Sequence, residues 1–206
     1  MLRERRFIGS LLPRVQNQPA RPRAWEDGAS GERIVGARLD KIDGIEVLHD
    51  RGIAGTRRTI DHIAVGPGGV YVIDAKLYGA MVKHRAGPPS HHDRRVSIDD
   101  RDQAKLVAKM GSQVSAITRV LSETPIPVTP ALCYVDAQWP VPAQPFMLDG
   151  VWVGWPEALP DLVTRPGLLD MTAITAARRL LDSRLPSTEP GHGTQETGPT
   201  GRQPLP

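Results

Sequence analysis

The sequence predicts an α/β fold in which helices flank one mixed β-sheet. A hairpin pattern spans residues 60–74, a long amphipathic helix follows over residues 102–121, and a nearly continuous apolar strand comes next at residues 131–135. The hairpin requires antiparallel strands. A helix that connects two strands is typical of parallel neighbours in a sheet. We therefore expect antiparallel and parallel pairing within the same sheet.

The composition divides the chain into a central domain and two polar ends. The chain has 206 residues, of which 39% are hydrophobic, and this suits one domain of ordinary size. Residues 1–24 lack hydrophobic periodicity and are predicted to form a flexible basic arm. Residues 186–206 are rich in Pro, Gly and Thr and are predicted to be a disordered tail. The folded domain is expected over residues 25–185.

The distribution of charge points to a polyanionic partner. The formal net charge is +3, but residues 1–24 hold six arginines and one glutamate, and residues 51–95 hold eight basic and three acidic residues. Basic segments of this kind favour nucleic acid. A solvated surface also produces charge clusters of this size, so the distribution alone does not establish the partner.

The cysteine content and hydropathy exclude several classes of protein. Cys133 is the one cysteine, which rules out a disulfide within the chain and a cysteine-based zinc site. Its apolar neighbours predict a buried thiol in a strand. No segment approaches the ~20 apolar residues of a transmembrane helix. The N-terminal residues do not match an export signal, so we expect a cytoplasmic protein.

The first predicted elements are a helix and three strands. The helix is expected over residues 30–43, with Ser30 as its N-cap, Glu32 in its first turn and Gly44 after its end. The strands are expected at residues 45–49, 59–65 and 70–74, with a tight turn at residues 66–69.

The later part of the chain alternates between strands and helices. A short strand is expected at residues 81–86, followed by a polar loop at residues 87–100. After the long helix and the apolar strand, a further strand is expected at residues 151–154. Outer helices are predicted at residues 156–163 and 172–184.

Acidic and basic side chains converge at one end of the predicted hairpin. Asp61 lies in the second strand, and Asp74 and Lys76 lie at the end of the third. Residues that face each other across a hairpin are neighbours, and residues two positions apart share a face. Burial of such groups is unfavourable unless they bind a metal or each other. The pattern therefore indicates a functional site.

The chemistry of these side chains suits a divalent cation. Mg²⁺ binds one or two carboxylates together with waters and phosphate oxygens. Asp61, Asp74 and the carbonyl of Ala75 are expected to bind Mg²⁺ or Mn²⁺. Lys76 is expected to orient or deprotonate a metal-bound water, or to stabilise charge on the phosphorane. Glu32 is expected to bind a metal water or a second metal.

Four short motifs follow one another along the chain. They are Gly31-Glu32, Ile60-Asp61-His62, Gly66-Pro67-Gly68-Gly69-Val70 and Ile73-Asp74-Ala75-Lys76. In kind and order they resemble the motifs of the nuclease-related domain family (NERD) of the PD-(D/E)xK superfamily, and the resemblance covers about residues 25–155. It implies a restriction-endonuclease-like mixed sheet flanked by helices, and metal-dependent hydrolysis of nucleic acid, with DNA as the expected substrate.

The chain departs from the superfamily pattern at one position and leaves another undecided. Many members of the superfamily carry Glu where this chain has Asp74, whose shorter side chain should still reach a metal. The family also often has a glutamine in the following helix. Gln113 and Gln103 both qualify, and Gln113 is preferred. The predicted catalytic residues are Glu32, Asp61, Asp74, Lys76 and Gln113.

Simpler interpretations stay open for single residues. Glu32 can serve only as a partner of the helix dipole. Asp74 and Lys76 can form a same-face ion pair. His62 is interpreted as a structural residue.

Two further alternatives concern zinc and catalysis. The cluster His91-His92-Asp93 is interpreted as part of a solvated loop, because no further ligand has suitable spacing. A non-catalytic nucleic-acid-binding module of the same fold is the alternative function. A degenerate relative would usually lack the lysine or one of the acids, whereas this chain has Glu32, Asp61, Asp74 and Lys76.

Overall fold

A six-stranded mixed sheet forms the centre of the computed structural model. The structure describes residues 24–77, 82–85, 95–98, 101–102 and 104–188. In chain order the elements are α1 (Ala24–Leu39), β1 (Glu46–Gly52), β2 (Thr59–Gly66), β3 (Gly69–Leu77), β4 (Val82–Arg85), β5 (Arg95–Ile98), β6 (Arg101–Asp102), α2 (Ala104–Val120), β7 (Val128–Val135), β8 (Phe146–Leu148), β9 (Val151–Gly154), a 3₁₀ turn (Pro156–Ala158), α3 (Leu159–Val163) and α4 (Met171–Arg184).

The topology confirms the predicted α/β class with a mixed sheet. The strand order is β1-β2-β3-β7-β9-β8. The first three strands pair antiparallel, whereas β3, β7 and β9 pair parallel. The helix α2 connects the parallel neighbours β3 and β7, as expected for such a crossover. A second, three-stranded antiparallel sheet is formed by β4, β5 and β6.

The hairpin of β2 and β3 has the predicted tight turn. The paired register runs from His62 opposite Ile73 to Gly66 opposite Gly69. Residues 67–68 therefore form the connection between the strands. The strand β3 is longer than predicted, because its second edge pairs with β7 as far as Leu77 opposite Val135.

Helices cover both faces of the sheet and produce two hydrophobic cores. Val70 and Val72 of β3 face the core beneath α2 and α4, and Tyr71 and Ile73 face the core beneath α1 and α3. Cys133 belongs to the second core and has no exposed surface, which confirms the predicted buried thiol. Burial raises the pKa of its thiol.

The first helix begins earlier and ends earlier than predicted. The expected bounds, residues 30–43, are wrong because α1 spans Ala24–Leu39. Ser30 is therefore not the N-cap, and Glu32 lies two turns inside the helix. The sequence Ala24 to Ala29 contains no proline, so nothing in it prevents the helix from starting before Ser30.

Three local predictions for the later part of the chain also need correction. Residues 95–98 form a strand within the predicted polar loop, residues 101–102 form a strand where the long helix was expected to begin, and β8 was not predicted. These strands are only two to four residues long, so hydrophobic alternation gives little signal for them. The predicted strands at residues 81–86 and 151–154 and the outer helices are confirmed in substance.

The chain remains structured slightly beyond the predicted domain end. The backbone N–H of Gly52 donates to Pro186 O at 2.8 Å, and Thr188 N donates to Asp50 O at 2.8 Å. These bonds attach residues 186–188 to β1. Residues 1–23, Gln103, the His91-His92-Asp93 cluster and residues 189–206 lie outside the described residues, so the arm and the tail stay predictions. Among the described helices, none is long and apolar enough to cross a membrane.

Candidate active site

The predicted site lies where β2 and β3 stop pairing with each other. The paired register between these strands ends at His62 opposite Ile73. One residue further, the carboxylate Oδ2 of Asp61 accepts a hydrogen bond from Ala75 N at 2.9 Å. A side-chain bond thus replaces the backbone pairing, and we call this interruption of the β2–β3 ladder, on the side of α2, the gap.

Asp74 is the centre of a buried charge cluster in this gap. Its side chain has no exposed surface in the folded chain. Lys76 forms an ion pair with Asp74 Oδ2, and its ammonium also donates to Ala75 O at 2.9 Å. Lys109 of α2 donates to Asp74 Oδ1 at 2.9 Å. Both oxygens of this carboxylate therefore contact an ammonium group.

Asp61 shares the cluster and is 7% exposed. Burial, together with the nearby charge of Asp74, raises the pKa of Asp61 to about 7. The ammonium of Lys76 and the hydrogen bond from Ala75 oppose this shift without cancelling it. The site thus holds one carboxyl group that gains or loses its proton near neutral pH.

Glu32 reaches the cluster from the opposite helical layer. A Cβ at Gly31 would lie 3.3 Å from Leu77 N and from Leu77 Cβ, so glycine lets α1 approach the end of β3 closely. Burial and the charge of Asp50 raise the pKa of Glu32, while Lys76 lowers it. The carboxylate therefore lies within electrostatic reach of the groups in the gap.

Gln113 contacts the start of β2 and not the carboxylates. Its side chain is 1% exposed, and its Nε2 donates to Thr59 O at 2.9 Å. Thr59 precedes Asp61 by two residues, so this bond fixes the strand that carries Asp61. Its position supports a positioning role, and the predicted catalytic role stays a prediction.

Lys109 was not predicted from the sequence. It precedes Gln113 by four residues, and positions separated by four residues share a helix face. The four-residue spacing from Gln113 was the available signal for Lys109 in the sequence. Gln113 was assigned to the site, so it indicates which face of α2 points toward the site. Burial lowers the pKa of Lys109, but its hydrogen bond and charge interaction with Asp74 outweigh burial and leave that pKa raised.

His62 is buried beneath α1, away from the carboxylate pair. Its Nδ1 lies 2.7 Å from His49 Nδ1, and His49 Nε2 lies 3.0 Å from Asp40 Oδ1. Gly36 permits this packing, because a Cβ there would lie 3.3 Å from His62 Cε1. Burial and His49 lower the pKa of His62 to about 3, so its ring is neutral at physiological pH. These contacts support the structural interpretation of His62.

The oxygen atoms in the gap have the chemistry that a hard divalent cation requires. Asp61 and Asp74 offer carboxylate oxygens, and Ala75 offers a carbonyl oxygen that already contacts an ammonium. In the described part of the chain, no three His, Cys, Asp or Glu side chains are arranged to hold a metal ion. Two carboxylates and a carbonyl are the kind of ligand set that Mg²⁺ uses, since this ion takes one or two carboxylates and completes its coordination with water and phosphate.

Comparison with known protein families identifies the same region. The family model described as nuclease-related domain matches residues 27–135, which is more than half of the chain. The chain belongs to the nuclease-related domain family. The matched NERD segment begins within α1 and ends with β7, so it contains Glu32, Asp61, Asp74, Lys76 and Lys109. The search of curated proteins found no match, and neither did the search of solved structures.

A cleft of about 1050 Å³ adjoins the NERD site on the side of α1 and β1. Glu32 and His62 line this cleft, together with Arg33, Arg51 and Arg178. The guanidinium of Arg51 is already paired with Asp182 at 2.7 Å. The cleft therefore combines an open space beside Glu32 with basic side chains.

Proposed function

We propose that this chain is a metal-dependent nuclease that hydrolyses phosphodiester bonds in DNA. The observation that supports this proposal is the buried pair Asp61 and Asp74 with Lys76 bound between Asp74 and the carbonyl of Ala75. Two buried acids and a lysine at the end of a strand are unfavourable for folding alone. Their retention in one gap is explained by a reaction that uses them. A cytoplasmic location, expected from the sequence, remains part of the proposal.

The residues proposed to hold Mg²⁺ or Mn²⁺ are Asp61, Asp74 and Ala75, the last through its carbonyl. When bound, the ion would supply Lewis-acid stabilisation of charge on phosphate oxygens. Glu32 would hold a water at the edge of the same gap, because its half-buried carboxylate faces the cluster from α1.

Lys76 is proposed to act on the reacting groups directly. In the reaction, the oxygen of a water forms a bond to phosphorus, and the bond from phosphorus to the leaving oxygen breaks in line with it. The attacking water loses one proton to solvent, and the leaving oxygen gains one. The ammonium of Lys76 orients the water and stabilises the negative charge that accumulates on the phosphoryl oxygens.

Basic side chains near the same edge of the sheet support a polyanionic substrate. Arg57 and Arg58 are exposed in the loop that leads into Thr59, the first residue of β2. The loop is ordered by hydrogen bonds from Thr56 N and Thr56 Oγ1 to Ile53 O, at 3.1 and 2.9 Å. These arginines are therefore held beside the gap, where phosphates of a bound strand would pass.

The test is a cleavage assay on linear, circular and single-stranded DNA with Mg²⁺ or Mn²⁺. Asp74→Ala serves as the control variant, and each protein is also titrated with metal. We expect cleavage by the wild type, no cleavage by the variant, and weaker metal binding by the variant. DNA binding without cleavage or metal binding in the wild type would favour the non-catalytic binding module.

A further inference from the structure

Asp74 receives two lysines, although one would neutralise it. Lys76 already contacts Asp74 Oδ2 and is held in place by Ala75 O. Lys109 comes from a different element, α2, and contacts the other oxygen, Asp74 Oδ1, at 2.9 Å. The charge of Asp74 alone therefore does not explain the second lysine.

The two lysines differ in their access to solvent. The side chain of Lys76 is 20% exposed, whereas that of Lys109 is 41% exposed. Lys109 thus extends from the surface of α2 into the gap, and its ammonium lies between the buried acid and the open side. A lysine side chain is flexible and has three N–H donors, so the ammonium can exchange one oxygen partner for another without movement of the helix.

The position of Lys109 also suits the direction from which a substrate must come. Asp61 and Asp74 are buried, whereas the side chain of Lys109 is 41% exposed and contacts Asp74 from α2. A phosphate that approaches these carboxylates from the side of α2 would therefore meet the Lys109 ammonium. A ligand that takes the oxygens of Asp74 would release Lys109 from its present partner and leave its charge next to the incoming phosphate.

We infer that Lys109 is a further catalytic residue, whose ammonium moves from Asp74 to a nonbridging oxygen of the scissile phosphate when the substrate binds. This inference rests on the proposed nuclease function. Lys76 and Lys109 then place positive charge on two sides of the same phosphoryl group. No proton transfer is assigned to Lys109; it stabilises charge by a hydrogen bond from its ammonium.

The first experiment compares Lys109→Met with Lys105→Met. Both variants remove one positive charge from an exposed lysine of α2, one turn apart, and keep a residue with high helix propensity. We expect kcat to fall by ~30-fold or more for Lys109→Met and by less than ~3-fold for Lys105→Met, since only the first loses a transition-state contact. Metal affinity should be unchanged or higher in Lys109→Met, because a cation that competes for Asp74 is gone.

The second experiment locates the contact without cleavage. A series of short oligonucleotides carries one neutral methylphosphonate each in place of a phosphate. Their affinities for the wild type, Lys109→Met and Lys105→Met are measured with Ca²⁺ in place of Mg²⁺. If Lys109 contacts one phosphate, the loss of affinity caused by Lys109→Met disappears when that phosphate is neutral and persists at all other positions. For Lys105→Met, any loss of affinity should not depend on which single phosphate is neutral.

These outcomes separate the inference from the proposed function. Wild-type-like cleavage by Lys109→Met, or a loss of affinity that no single methylphosphonate removes, would overturn the role of Lys109 while the nuclease proposal stands. If the wild type does not cleave but the position-dependent loss of affinity is still seen, the nuclease proposal and the catalytic role of Lys109 are both wrong. Only a phosphate contact by Lys109 would then remain. If Lys109 only neutralises Asp74, the variant should lower the thermal unfolding midpoint and show neither effect.

Discussion

Asp61 and Ala75 are joined by a hydrogen bond in which a carboxylate oxygen takes the place of a strand carbonyl. Asp61 Oδ2 accepts from Ala75 N at 2.9 Å, one residue beyond the last backbone pair of β2 with β3. This bond links the two strands at the point where their backbone pairing ends, and it uses only one oxygen of the carboxylate. The site is therefore built at the point where the sheet changes from backbone pairing to side-chain pairing.

The first prediction concerns the ionisation of Asp61. The pKa of Asp61 in the folded chain is about 7, above its usual value of 3.8, so the folded chain favours the protonated form. That contribution to stability is present below about pH 4 and is lost as the pH rises through 7. Asp61→Asn, which keeps an oxygen for Ala75 N, should therefore raise the unfolding free energy at pH 8 by on the order of 2 kcal/mol.

The measurement is urea unfolding of both proteins with a chelator present, at pH 5 and at pH 8. The difference between the proteins should be smaller at pH 5, where wild-type Asp61 is protonated. A variant that is less stable than the wild type at pH 8 would contradict the assigned burial of an ionised carboxylate.

The second prediction concerns the close approach of α1 to β3. A Cβ at Gly31 would contact Leu77 at 3.3 Å, whereas a Cβ at Gly28 would meet nothing within 4 Å. Gly28→Ala should raise stability by about 0.5–1 kcal/mol through helix propensity and leave cleavage unchanged. Gly31→Ala should gain less stability and lower cleavage several-fold, because it displaces the helix that carries Glu32. Cleavage and the free energy of unfolding are measured for both variants. Equal cleavage by the two would mean that Glu32 takes no part in the reaction.

Much of this arrangement was predictable because it depends on local signals. The turn at residues 66–69 and the alternation of β2 and β3 predict which residues face each other, and the structure confirms the hairpin. Two carboxylates and a lysine at the end of that hairpin then follow from the register alone. The family match over residues 27–135 confirms the predicted family.

Other features depend on contacts between distant parts of the chain, for which the local signal is weak or absent. Lys109 reaches Asp74 across 35 residues of sequence, and a lysine on a polar helix face resembles any solvated residue. His49 looks like an exposed strand residue until β1 pairs with β2 and places it opposite His62. The early start of α1 was missed because Ser30 looked like an N-cap, although its Oγ accepts a hydrogen bond from Arg33 within the helix.

The third prediction concerns Gln113 as a positioning residue. Gln113→Ala removes the donor to Thr59 O and should lower the unfolding free energy by about 1–3 kcal/mol, since the side chain that makes this bond is itself buried. Ser112→Ala, a change at an exposed neighbour, should stay within about 0.5 kcal/mol. At temperatures where both variants are folded, Gln113→Ala should retain metal binding and lose less cleavage than Asp74→Ala. A complete loss of cleavage in a folded, metal-binding Gln113→Ala would assign it a catalytic role.

The last prediction separates the roles of Asp74 and Lys76, which form an ion pair with each other. Asp74→Ala removes a proposed metal ligand, so metal binding and cleavage should be lost together. Lys76→Met keeps most of the aliphatic stem but removes a positive charge next to the proposed cation, so metal affinity should persist or rise. Cleavage should nevertheless fall by ~100-fold or more, the scale expected for loss of one preorganised charge.

Metal titration and cleavage of both variants must be measured on the same preparations, because Lys76→Met leaves the buried carboxylate of Asp74 with one ammonium instead of two. Lys109 remains as the compensating charge, which is why we expect the variant to fold. Cleavage by Lys76→Met at the wild-type rate would make the lysine a structural ion-pair partner and would remove it from the reaction. Unchanged metal affinity in Asp74→Ala would show that the cation does not depend on Asp74 and would remove this residue from the proposed metal site.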